Sequence, residues 1–245
     1  MYATVLHGPG DIRYESVDDP RILLPTDAII QLSATCICGS DLWPYRGVQA
    51  VGQPMHMGHE YCGVVVEIGP EVRHIRPGQF VVGSFCLSDN TCPHCRFGFQ
   101  SSCVQREFMS GAQAPYARVP LADGTLVATA EMPDKHLIPH LLAVSDVLGT
   151  GWYGAVAANV REGETVVVVG DGSFRAPLLF KLSCWWSRHP RRAAFAVRRR
   201  RCNNRRAPSA NNSDLPKTRM RTHPSMHSAY IGRRCCNRVR PTRSP

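Results

Sequence analysis

Near Ser173 the character of the chain changes, and that boundary limits what can fold more than any average does. Residues 1–173 hold 10 Lys and Arg against 18 Asp and Glu, a net charge of −8. Residues 174–245 hold 17 Arg and two Lys against one acid, Asp214, a net charge of +18. The overall charge of +10 therefore describes neither part. No apolar period of 3.6 or 2 persists in the tail, which runs through Arg198–Arg201, Arg205-Arg206, scattered prolines and the pairs Trp185-Trp186 and Cys235-Cys236. A sudden Arg, Pro and Ser bias with almost no acids is what an out-of-frame translation produces. A slip of the coding frame near codon 173, giving a disordered tail, is the expectation for 174–245. The second reading is a selected basic extension, in which clustered Arg neutralise nucleic-acid phosphates and the few aromatics stack on bases. The third is an unrecognised folded domain.

The acidic front is long enough to bury a core. Tyr2 to Leu6, Ala28 to Ala34, Tyr61 to Ile68 and Gln79 to Gly83 are short, rich in Val and Ile, and bounded by Gly, Pro or Asp. They read as strands of a compact, mainly β unit of about 130 residues. Residues 136–158 read as two helical pieces broken at Leu148-Gly149-Thr150-Gly151, and Glu164 to Val169 as a buried strand. No stretch approaches the 18 or more apolar residues of a membrane span, and the N-terminus has no basic start followed by an apolar run, so the expectation is a soluble, cytoplasmic protein. Eleven cysteines, an odd number without a sign of secretion, point to reduced thiols, some of them as metal ligands, rather than to a disulfide framework.

Two groups of residues carry chemistry. Cys38-Gly39-Ser40-Asp41 is followed about twenty residues later by Gly58-His59-Glu60. A thiolate and an imidazole suit zinc, although a buried inert cysteine and an ordinary loop histidine explain those two residues equally well. Further on, Cys92 and Cys95 form a tight pair, with Cys103 beyond it.

The run Gly58-His59-Glu60-Tyr61-Cys62-Gly63, five residues to Gly69 and two more to Val72, resembles the zinc signature of the medium-chain alcohol dehydrogenases. Cys38-Gly39-Ser40-Asp41 resembles that family's first-ligand segment, and Cys92-Pro93-His94-Cys95 with seven residues to Cys103 resembles its structural-zinc lobe, with Asp89 where the first of four cysteines usually stands. The resemblance implies a second zinc there on Asp89, Cys92, Cys95 and Cys103, three thiolates and one carboxylate, with Cys86 as an alternative donor, a lobe without metal as the other possibility, and His94 pointing outward. The resemblance covers residues 1 to about 173. It implies an α/β protein: a GroES-like β-barrel catalytic domain at 1–150, then a linker helix and first strand of a truncated Rossmann cofactor domain at 151–173, then the tail. It also implies catalytic zinc on Cys38, His59 and Asp146, the last a carboxylate where most relatives have Cys. Glu60 and Asp41 would orient the ligands, with Glu60 able to approach the metal itself, and Ser40 would begin a proton relay. Trp43, Tyr45 and Trp152 are candidate pocket walls, with core packing as the alternative.

The implied reaction is hydride transfer between a small alcohol or aldehyde and NAD or NADP. Gly170-Asp171-Gly172 opens a dinucleotide turn, and Gly170 and Gly172 are its candidate cofactor-binding residues. The third glycine is replaced by Arg175, Pro177 interrupts the helix that should follow, and no acidic-ended second strand appears. Little or no dehydrogenase activity is therefore expected of this polypeptide. Its alternative role is a non-catalytic zinc-binding module whose basic tail binds nucleic acid; a zinc-free quinone-reductase relative is disfavoured by Cys38, His59 and Asp146. The family's homo-oligomers pair largely through the cofactor domain, so that inference does not carry over to this chain.

Overall fold

The computed structural model describes residues 1–159 and, beyond them, only Val166 and Val168. The expected strand Glu164 to Val169, Gly170, Gly172 and the basic tail thus lie outside the described residues, apart from those two positions. Residues Met1–Gly149 form one compact unit.

That unit is built on antiparallel strands: β1 (Tyr2–Gly8), β2 (Asp11–Ser16), β3 (Ala28–Cys36), β4 (Met55–His56), β5 (Glu60–Ile68), β6 (Phe80–Gly83), β7 (Cys86–Leu87), β8 (Glu107–Phe108), β9 (Tyr116–Val119) and β10 (Leu126–Ala128). Five of them form the central sheet in the order β10-β6-β5-β3-β9, flanked by a β2-β1-β4 sheet and a β7-β8 hairpin-like pair. The four strands expected from the sequence are all present: β1 and β3 run two residues further, β5 starts one residue earlier, and β6 starts one residue later, at Phe80.

The apolar runs on β5 and β6 are continuous because both faces of the central sheet are covered. Tyr61, Val65 and Val81 point into the main core with Ala28, Ile30 and Val119. Their neighbours Cys62, Phe80 and Val82 form a second cluster on the opposite face, against Ile138, Leu141 and Leu142 of a short helix, Ile138–Leu142. Alternation thus serves two cores at once.

Strand β3 changes face partway along. Leu32 pairs with Gly63 and Ala34 with Cys62, so Ser33 is an extra residue, a β-bulge. Accordingly Ala28, Ile30 and Leu32 belong to the main core, whereas Ala34 belongs to the opposite cluster. Residues after Ser33 face the way they do because of that insertion.

The helical segment departs from the sequence expectation. Gly149, Thr150 and Gly151 do not break it; they begin the regular helix Gly149–Ala157. The irregularity comes earlier, as a π-helical turn over Val144–Leu148, closed by the Leu148 N–H donating to the Ala143 carbonyl at 2.9 Å. A π turn carries one more residue than an α turn. Here it leaves two consecutive polar residues, Ser145 and Asp146, both buried.

No helix among the described residues is long and apolar enough to cross a membrane.

Candidate metal centres

The first centre begins at Gly58, which has φ +98°, a left-handed conformation that glycine adopts without strain. A side chain there would also meet the backbone nitrogen of Gln113 at 2.6 Å. The turn delivers His59 and Glu60 to the start of β5, beside the end of β3 and the turn Cys38–Asp41. From the far end of the unit, the π turn brings Asp146. One donor atom from each of Cys38, His59, Glu60 and Asp146 lies within 4.8 Å of all the others.

The distances define how the group is held. Cys38 Sγ lies 3.6 Å and His59 Nε2 3.7 Å from Asp146 Oδ2. His59 Nδ1 faces Asp41 Oδ1 at 3.2 Å, and the other oxygen of Asp41 accepts the backbone N–H of Cys38 at 2.9 Å. Asp41 therefore fixes two members at once: it turns the imidazole so that Nε2 faces Asp146, and it holds the backbone that carries the thiol. Ser40 Oγ is 3.4 Å from His59 Nε2. Phe85 presents its ring edgewise to the imidazole, with 6.2 Å between centroids. Trp43 and Tyr45 follow Asp41 on the short helix Leu42–Tyr45, and both are exposed, so neither packs in a core. Trp152, on Gly149–Ala157, is likewise exposed.

Burial opposes a charge on His59, yet Asp146, Asp41 and Cys38 around it push its pKa up to about 12. Such surroundings favour positive charge at their centre. A divalent cation meets the same demand with His59 as a neutral ligand, and one sulfur, one nitrogen and carboxylate oxygens form a donor set that zinc accepts. The residues present fit the metal.

Two contacts had no signal in the sequence. Ser145 Oγ accepts the buried Tyr61 N–H at 3.0 Å and donates to the Gly83 carbonyl. Tyr61 and Gly83 are paired across β5 and β6, so the hydroxyl is inserted at the end of that ladder and ties the π turn to both strands. Ser145→Ala leaves both backbone groups without this partner. It is expected to lower the free energy of unfolding by about 1–3 kcal/mol and to weaken metal binding through Asp146; an unchanged denaturation midpoint would count against this anchor. The second contact is Cys36 Sγ to Glu60 Oε2 at 2.6 Å. Burial, and then Glu60 beside it, push the Cys36 pKa up to about 12.

The second centre is the loop between β7 and β8. Asp89, Cys92, Cys95 and Cys103 place donor atoms within 4.8 Å of one another, and Cys86, on β7, lies outside this quartet. Cys92 Sγ is 3.5 Å from Cys95 Sγ and 4.0 Å from Cys103 Sγ, all three as free thiols. The Val104 and Cys95 backbone N–H groups hold the Cys92 pKa below the ordinary thiol value. Burial works against the Asp89 charge, but the N–H groups of Cys92 and Thr91 hold its pKa down to about 2. This quartet is also prepared for a cation. His94 is exposed, with Nδ1 2.7 Å from the Ser102 carbonyl.

Residues 24–139 match the alcohol dehydrogenase GroES-like domain. Zinc-type alcohol dehydrogenase B of Aspergillus flavus is 35% identical over 185 residues, covering 70% of this chain and 42% of the relative. The medium chain reductase/dehydrogenase ucsI of Acremonium sp is 38% identical over 185 residues, covering 70% and 62%. Among solved structures, the alcohol dehydrogenase TADH from Thermus sp. ATN1 superposes with a TM-score of 0.68 at 28% identity, covering 75% of this chain and 55% of that one. Residues 24–139 are thus the GroES-like domain of alcohol dehydrogenases, the chain is similar to zinc-type alcohol dehydrogenases, and it spans about half the length of these relatives.

Proposed function

We propose that residues 1–149 are the metal-bearing catalytic part of a zinc-dependent dehydrogenase that moves hydride between a small alcohol or aldehyde and NAD or NADP. The observation that carries this reading is the convergence of Cys38, His59, Glu60 and Asp146, whose donor atoms lie within 4.8 Å of one another. Cys38, His59 and Asp146 hold the metal, with Glu60 as the neighbouring carboxylate. Zinc supplies Lewis acidity, which makes an alcohol proton acidic near neutral pH. Asp41 keeps His59 Nε2 turned inward. Ser40 Oγ, beside that nitrogen and partly open to solvent, takes the proton from the substrate hydroxyl and passes it outward. Phe85 covers one side of the imidazole.

Hydride acceptance belongs to the nicotinamide, which Gly170 and Gly172 would help to bind. Because Arg175 and Pro177 interrupt that motif, this polypeptide is expected to hold zinc yet to reduce NAD or NADP with simple alcohols slowly or not at all. Metal analysis of the purified chain, run beside an alcohol-dependent assay of NADH and NADPH formation, tests both parts. Two zinc ions without turnover is the expected result. Absence of metal would sink the zinc reading, and turnover typical of a dehydrogenase, about 1–1000 per second, would overturn the expected inactivity.

A further inference from the structure

Cys36 is not among the four donors of the first centre, yet the fold sets it against one of them. It pairs in register with Glu60, the last residue of β3 opposite the first of β5. The Ser33 bulge is what puts it there. Were Ser33 paired in the ladder instead of bulged out of it, every later residue would move on by one partner, and Cys36 would stand opposite His59 rather than Glu60. Its sulfur lies 2.6 Å from Glu60 Oε2, and Glu60 is only 3% exposed, so bulk water does not readily replace the thiol as a donor. A carboxylate with both oxygens free turns about its last bond, whereas one bonded at a single oxygen has a fixed plane.

We propose that Cys36 is a positioning residue for Glu60: its S–H fixes the carboxylate so that Glu60 serves as a donor to the metal beside Cys38, His59 and Asp146. The inference rests on the reading of that quartet as a metal site. Carboxylates that bind metals are themselves held by hydrogen bonds, and losing such a partner typically costs 10–100-fold in affinity.

The test uses the full chain with Cys36→Ala and Cys36→Ser, each titrated with zinc against a chelator and separately loaded with Co2+. Cys36→Ala is expected to weaken zinc at this centre about ten-fold and to move the visible absorption of the cobalt form, the second centre contributing equally to every variant. Cys36→Ser keeps a donor and should return both properties towards wild type. In a Glu60→Gln background Cys36→Ala should have no further effect. Wild-type affinity and absorption in Cys36→Ala, or an undiminished loss in the Glu60→Gln background, would overturn the proposal. If Cys36→Ala does not fold, Cys36→Ser decides: a wild-type spectrum supports the role, and the Glu60→Gln spectrum overturns it. Cys38→Ser, run in parallel, separates the two ideas. Full metal content in that variant removes the metal site itself, whereas metal loss there with no effect at Cys36 removes only the positioning role.

Discussion

Replacing Cys38 with serine is expected to reduce bound zinc from two ions per chain to one when the protein is equilibrated with a chelator whose zinc affinity lies between those of the wild-type and variant sites. Cys38 supplies the one sulfur of the first quartet, and its backbone is already fixed by Asp41 at 2.9 Å, so the thiolate binds without a further ordering cost. Structural zinc sites release about 10–16 kcal/mol on binding. Divided among four donors, that is about 3 kcal/mol for each, or roughly 100-fold in affinity at pH 7. The fold should survive, because Cys38 belongs to neither principal apolar cluster. Inductively coupled plasma measurement of zinc, with far-ultraviolet circular dichroism as the folding control, checks the prediction. Two zinc ions retained in a folded Cys38→Ser protein would contradict it.

The second large effect is expected at Cys95. It is 3% exposed in a loop whose only buried cluster is Cys92, Cys95 and Cys103. Three thiols with sulfurs separated by 3.5 and 4.0 Å are poor packing material, and a metal ion is what makes such a cluster cohesive. Cys95→Ala should therefore release the second zinc ion and open the loop, raising the rate of limited proteolysis between residues 92 and 103 by at least ten-fold, since loss of even 1.4 kcal/mol of local stability has that effect. Chelation of the wild-type protein should reproduce the effect. Equal proteolysis of wild type and variant, with and without chelator, would show that the lobe stands on packing alone.

What could be read in the sequence divides along physical lines. The strands were legible because each is an apolar run closed by Gly, Pro or Asp, and burial on both faces of β5 and β6 only strengthens that pattern. Cys38 and His59 were legible as candidates because their types are local and suit zinc, but the family resemblance was needed to choose them over an inert cysteine and a loop histidine and to give Asp41 and Glu60 a role. Asp146 is 108 residues from Cys38, and only a family resemblance pointed to it. Ser145 gave no sign at all, since its partners are the backbone groups of Tyr61 and Gly83, which carry no side-chain signature. The Cys36 contact depends on a bulge at Ser33, and a serine in a strand does not announce one. The misplaced helix break has a related cause. Gly149 and Gly151 invite a break by propensity, whereas the actual irregularity is the π turn that holds Ser145 against the Tyr61 and Gly83 backbone.

The π turn at Val144–Leu148 also acts on what comes after it. An α-helix advances about 100° per residue, so one residue absorbed into a wider turn rotates the phase of the helix beyond it by about that angle. The faces on which Trp152, Tyr153 and Val156 stand are therefore set by a residue inserted upstream, not by their own sequence. Excising a single residue between Ala143 and Leu148 would straighten the turn and swing that whole row of side chains round the axis, while withdrawing Asp146 from its partners.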